Sequence, residues 1–111
     1  SLSVADSSVA VKDNASSIPT GFQLRAAYPN PFNPSTTIAF DMPTAEHTTL
    51  TVYDVTGRRV RTLVSGPMAA GYHSARWDGR DELGRPVSTG VYYSRLISGE
   101  YSATVKMLLL K

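Results

Sequence analysis

The chain has 111 residues, 41% apolar and 18% charged, with 11 basic and 9 acidic side chains and a formal net charge of +2. That is enough for one globular domain with a modest core, and too little charge to argue for a nucleic-acid partner. The absence of cysteine excludes disulfides and thiolate metal sites, and no apolar run reaches the ~20 residues of a membrane-spanning helix.

Residues 1–21 are rich in Ser, Ala, Val, Asp and Asn without sustained periodicity. They read as a linker from an upstream domain, with one short strand at Val9–Val11. Asn14-Ala15-Ser16 has the form of a glycosylation sequon, a triplet common by chance. The absence of an initiator Met before Ser1 points to a segment cut from a larger protein, and Lys111 reads as its natural C-terminus. The domain is assigned to residues 22–111.

Phe22-Gln23-Leu24 alternates and gives a first edge strand. Then come three prolines in six positions, Pro29, Pro31 and Pro34. Each fixes φ near −65° and removes a backbone donor, and each pushes its predecessor toward extended backbone. No helix can form there, and Phe32 is left as a plug between the prolines. Residues 35–42 alternate, with Ile38, Phe40 and Met42 on one face and Thr37, Ala39 and Asp41 on the other. Pro43 to His47 make a turn. Residues 48–55 form the next strand, Leu50 and Val52 inward and Thr51, Tyr53 and Val55 outward. Thr56-Gly57 closes a hairpin onto a strand from Arg58 to Val64. Ser65-Gly66-Pro67 opens a loop that ends at Gly71, and residues 72–77 return with Ala75 and Trp77 on the core face. Asp78 to Pro86 is a polar loop. Gly90 to Ile97, a hairpin at Ser98-Gly99, and Glu100 to Leu110 complete the chain. The regular strand spacing predicts an all-β, Ig-like or fibronectin-III-like antiparallel sandwich of about seven strands. Its core centres on Ile38, Phe40, Leu50, Val52 and Trp77.

Residues suited to chemistry are few. Asp78 and Asp81, with Glu82, are the candidate ligands for a hard cation. The EF-hand spacing is not met, and an Asx-type turn flanked by Arg80 and Arg85 accounts for the same residues. His47 and His73 lack metal-ligand spacing, and no serine sits in Gly-x-Ser-x-Gly. The chain is therefore expected to be non-enzymatic, with no cofactor or metal. Two surface features remain. Arg58, Arg59 and Arg61 form a basic strand, suited to an anionic polysaccharide or to a charged edge that resists aggregation. Tyr72, Trp77, Tyr92, Tyr93 and Tyr101 include aromatics suited to stacking on a surface glycan. Alternation sends one of Tyr92 and Tyr93 outward and leaves open which.

Five motifs run in order to the C-terminus: Tyr28-Pro-Asn-Pro-Phe-Asn-Pro34 leading to Ile38, Tyr53-Asp54-Val-Thr-Gly57-Arg58, Trp77-Asp78-Gly79-Arg80-Asp81, Gly90-Val91-Tyr92 and Lys106-Met107-Leu108. From Phe22 to Lys111 the chain resembles the type A C-terminal sorting domains of type IX secretion cargo, a group that overlaps with the FlgD-type Ig-like domain. The resemblance implies a folded, non-catalytic address on a larger protein of a Gram-negative bacterium. An outer-membrane translocon would read it during passage from the periplasm, and a sortase-like protease would cleave in the linker before Phe22 and join the cargo to a surface glycolipid. It implies that recognition rests on Tyr28, Pro29, Asn30, Pro31, Phe32, Gly90, Tyr92, Lys106 and Lys111. A monomer, secreted or held at the cell surface, is expected. The FlgD-type domain shares the Trp77 and Gly90 motifs and serves flagellar hook assembly, so an assembly module and a retained adhesive or spacer module are the alternatives.

Overall fold

The computed structural model describes residues 18–111. The short strand expected at Val9–Val11 and the Asn14 triplet lie outside the described residues. The described residues form seven strands: β1 (Gln23–Leu24), β2 (Thr36–Met42), β3 (Glu46–Asp54), β4 (Arg59–Met68), β5 (Gly71–Trp77), β6 (Gly90–Ser98) and β7 (Tyr101–Leu109). They make two antiparallel sheets, β1-β2-β5 and β4-β3-β6-β7. This is the seven-strand all-β sandwich that the alternation predicts.

Two boundaries differ from the sequence expectation by more than one residue. β3 begins at Glu46, and β4 runs through Gly66 and Pro67 to Met68 instead of ending at Val64. Pro67 stands opposite His47 on a strand at the sheet edge, where a missing N–H leaves no partner unsatisfied. The expected loop from Ser65 to Gly71 thus shrinks to Ala69-Ala70. The hairpin at Thr56-Gly57 forms as expected: Gly57 takes φ 84° and donates to the Asp54 carbonyl at 3.0 Å.

Two register shifts in the β3–β4 pairing place one extra residue each at Leu63 and Val60. Side chains alternate in an unbroken strand, so Arg59 and Arg61 would share a face. The bulge at Val60 puts Arg59 opposite the outward Tyr53, and Arg61 opposite the inward Val52. Arg61 then reaches Asp78 at 3.2 Å. The basic strand expected from sequence is therefore split between two faces.

Ile38, Phe40, Leu50, Val52 and Trp77 are fully buried, with Met42, Leu96, Met107 and Leu109. The polar residues facing this core are paired. Thr48 Oγ1 and Ser98 Oγ lie 2.9 Å apart, and the Ser94 hydroxyl donates to Met107 Sδ. Asp41 faces away from the core on β2 yet is buried, because Arg25 folds over it with a two-point ion pair of 3.2 and 2.6 Å.

Trp77 joins the two halves of the sandwich. Its ring meets Phe32 at 5.5 Å and the edge of Tyr92 at 5.2 Å. Its indole N–H donates to the Arg80 carbonyl at 2.9 Å, so both the apolar body and the polar handle are satisfied. Trp77→Ala is expected to cost about 3–5 kcal/mol, much of a small domain's stability. Urea denaturation followed by far-UV circular dichroism measures it, and an unchanged midpoint would contradict this packing.

Candidate functional site

The residues expected to carry recognition come together at one end of the sandwich. The chain leaves β1 and pairs briefly with β2 through Tyr28 and Thr37. The Thr36 hydroxyl donates to the Pro29 carbonyl at 2.7 Å. The segment then crosses to the other sheet. Phe32 N–H donates to the Leu108 carbonyl, and Leu110 N–H donates to the Phe32 carbonyl, each at 2.9 Å. One step earlier, the Asn30 side chain imitates a strand residue. Its amide donates to the Lys106 carbonyl and its oxygen accepts from Leu108 N–H, both at 3.0 Å. Proline cannot donate, so this Pro-x-Pro-x-x-Pro segment covers the β7 edge with the donors it has left: the Phe32 amide and the Asn30 side chain.

Gly79 fits the Trp-Asp-Gly motif to the same strap. It is buried with φ 76°, and a Cβ there would stand 3.1 Å from the Pro34 carbonyl oxygen and within van der Waals contact of Leu109. Glycine satisfies both the left-handed backbone and the close approach.

The nine residues assigned to recognition divide by burial into three groups. Phe32 and Tyr92 are buried, 2% and 5% exposed, and Tyr92 is tied by its hydroxyl to the Ser88 carbonyl at 2.7 Å. In the folded domain they hold the strap and do not present a surface. Gly90 is half-buried, opposite Leu109. Tyr28, Pro29, Asn30, Pro31, Lys106 and Lys111 are exposed, Tyr28 by 80%. These six are the members of the set that the folded domain leaves accessible. Sequence reasoning assigned no strap-supporting role to Thr36, Gly79 or Leu109. The signal was available only for Gly79, in its place after Trp77-Asp78.

The Asp78–Pro86 loop is an arrangement of turns. Asp78 accepts from Arg80 N–H and from Arg61. The Asp81 carboxylate accepts from Arg85 N–H and Leu83 N–H, both at 2.9 Å, and lies 3.4 Å from the Arg85 guanidinium. Among the described residues no group of three His, Cys, Asp or Glu side chains converges as a metal site would require. Glu82 N–H donates to the Val60 carbonyl, so the loop also covers part of the β4 edge. His73 stacks on Phe40 at 5.4 Å with Nε2 2.7 Å from the Ala69 carbonyl, and His47 is exposed on β3, away from it. A cleft of about 370 Å³ lies where the β3–β4 turn meets residues 87–92. Its acids, Asp54 and Asp81, are both engaged in capping their own turns.

Those caps set the acid response. The Asp54 carboxyl is held below the ordinary carboxylate range by the Thr56 hydroxyl and then the Arg58 amide, and Asp81 by the Arg85 and Leu83 amides. A carboxyl more acidic when folded stabilises the fold above its unfolded value of about 3.9, and that stabilisation is lost as pH falls through the lower folded value. Urea midpoints are therefore expected to drop in acid, and Asp54→Asn with Asp81→Asn should flatten that drop. A double variant with the parent's full acid sensitivity would contradict the assignment.

Asn30→Ala leaves the Leu108 amide and the Lys106 carbonyl to water, at a cost of about 1–2 kcal/mol. Hydrogen exchange is expected to quicken at Leu108 and to stay slow at the β6–β7 amides. Asn30→Asp keeps the acceptor and should keep Leu108 protected.

Comparison with known proteins places this geometry. Over 48 residues the chain is 44% identical to the basal-body rod modification protein FlgD of Salmonella typhimurium, an alignment covering 43% of this chain and 21% of the relative. The chain thus matches about a fifth of that curated protein's length. The crystal structure of FlgD from P. aeruginosa superposes with a TM-score of 0.53 at 25% identity, covering 67% of this chain and 58% of that one. PorZ of Porphyromonas gingivalis, described as an essential bacterial surface component of the type-IX secretion system, superposes with a TM-score of 0.55 at 20% identity, covering 82% of this chain and 12% of that one. The family model described as the FlgD Ig-like domain matches residues 30–108, which span the strap, the Trp77 loop and six of the seven strands, and the chain belongs to that family.

Proposed function

We propose that this FlgD-type Ig-like domain is a non-catalytic C-terminal sorting domain that directs a larger protein across the outer membrane by the type IX system to the cell surface. The observation that carries this reading is the seating of the opening motif on the terminal strand. Asn30 and Phe32 bond to Lys106, Leu108 and Leu110, so two motifs nearly 80 residues apart make one surface. A translocon that reads this surface reads a folded state, because the surface exists only when the strap is closed. Its accessible part is Tyr28, Pro29, Asn30, Pro31, Lys106 and Lys111. The five ordered motifs support the same reading, as does the fold held in common with PorZ. The partners are the translocon, a sortase-like protease acting before Phe22, and the upstream domain of the same protein.

The second reading is an assembly module of the FlgD kind, favoured by the family match and by the local identity to the Salmonella protein.

One experiment separates the two. The 111-residue chain is fused behind a periplasmically exported reporter in a bacterium with an active type IX system. The reporter is expected outside the outer membrane, and Lys106→Glu with Lys111→Glu should return it to the periplasm while the fusion stays folded. A reporter that remains periplasmic with the unaltered domain would overturn the sorting reading. Restoration of hook assembly by a FlgD carrying this domain in place of its own would then establish the second.

A further inference from the structure

The outward face of the four-stranded sheet has a charge pattern that its strap and loop do not account for. Cross-strand register places Arg59, Tyr53, Tyr93 and Lys106 side by side across β4, β3, β6 and β7. Neighbouring strands lie about 4.8 Å apart, so this row spans about 14 Å. The next row is Thr62, Thr51, Arg95 and Thr104, and the one after it Ser65, Thr49, Ile97 and Ser102. Arg59, Arg95 and Lys106 are exposed, and Tyr53 and Tyr93 are half-buried. Alternation sends every acid of these four strands elsewhere: Asp54 pairs with the inward Tyr92, and Glu46 shares the parity of buried Thr48. The outward strand positions thus carry three cations and no anion, and the loop's Glu82 carboxylate lies at the β4 edge, 3.4 Å from the Thr62 amide.

We propose that this face binds an acidic polysaccharide. Two tyrosines paired across β3 and β6 give the face an aromatic centre on which a sugar ring can stack, and Thr104 and Ser102 are exposed on the neighbouring rows. Arg59 and Lys106 at the ends of the row, with Arg95 beside it, pair with the carboxylates or sulfates of the chain. The hydroxyls of Thr49, Thr104 and Ser102 suit its hydroxyls. The row crosses the face of the sheet, and its two edges are covered where the strap lies on β7 and the loop on β4, so little edge is left there for a peptide strand to join. Three cations would release few counterions from a nucleic acid, whose affinity rests on many phosphate contacts.

The test uses the whole chain in affinity electrophoresis with polygalacturonate or heparin in the gel, and dextran as the neutral control. Retardation is expected in at least one acidic gel, not in dextran, and is expected to weaken with added salt. Tyr93→Ala and Arg95→Glu should each weaken binding about tenfold. Arg95 is exposed, so Arg95→Glu should leave the melting temperature unchanged. Arg76→Glu alters net charge equally but lies on β5 in the other sheet, and should bind like the parent. Four results would each overturn the proposal: no retardation by either acidic polysaccharide, equal retardation by dextran, an equal loss in Arg76→Glu, or tighter binding to polyglutamate or a thymidine oligonucleotide.

Discussion

Closure of the sandwich depends on one contact: the Phe32 ring against Trp77, with backbone bonds to Leu108 and Leu110 on either side of it. Trp77 ends β5 in one sheet, and Tyr92, its edge partner, belongs to β6 in the other. Phe32 arrives from a segment that belongs to neither. Three aromatic rings in sequence therefore tie together the two sheets and the strap. A proline-rich segment is poorly suited to continue a sheet, because it lacks donors. It is well suited to end one, since it covers an edge and offers little for another chain to pair with.

That construction divides the motif residues by physical role. Phe32, Tyr92 and Gly79 are fixed by packing and backbone geometry, whereas Tyr28, Pro31 and the lysines are exposed. A substitution in the first group opens the strap, and one in the second alters only the exposed surface. The two kinds of loss can be told apart by stability.

Charge is distributed just as unevenly. In the Asp78–Pro86 loop each aspartate accepts from backbone amides and has an arginine close by, so the acids shape turns. On the outward face of the four-stranded sheet three cations stand on strand positions that carry no acid, and Glu82 reaches only the β4 edge. The net charge of +2 conceals this separation.

Much of the fold was legible in the sequence, because a strand's burial pattern is local. The alternation at Ile38, Phe40 and Met42 and at Leu50 and Val52, and the glycine at Gly57, predict strands and a hairpin that the chain forms. The end of β4 was misplaced at Val64 because Gly66-Pro67 is a turn signal in any strand but an edge strand, and edge position is a property of the assembled sheet. The three arginines looked like one patch because the Val60 bulge arises from register with β3, which the local sequence does not reveal. Alternation required that Tyr92 and Tyr93 face opposite ways, and only the core around Trp77 decided that Tyr92 goes in. The sequence by itself determined the strands, the order of the motifs and the resemblance they carry. Only the tertiary structure decided that the opening motif lies on the last strand, since bonds between Asn30 and Leu108 join residues 78 positions apart and exist once the sheets have packed.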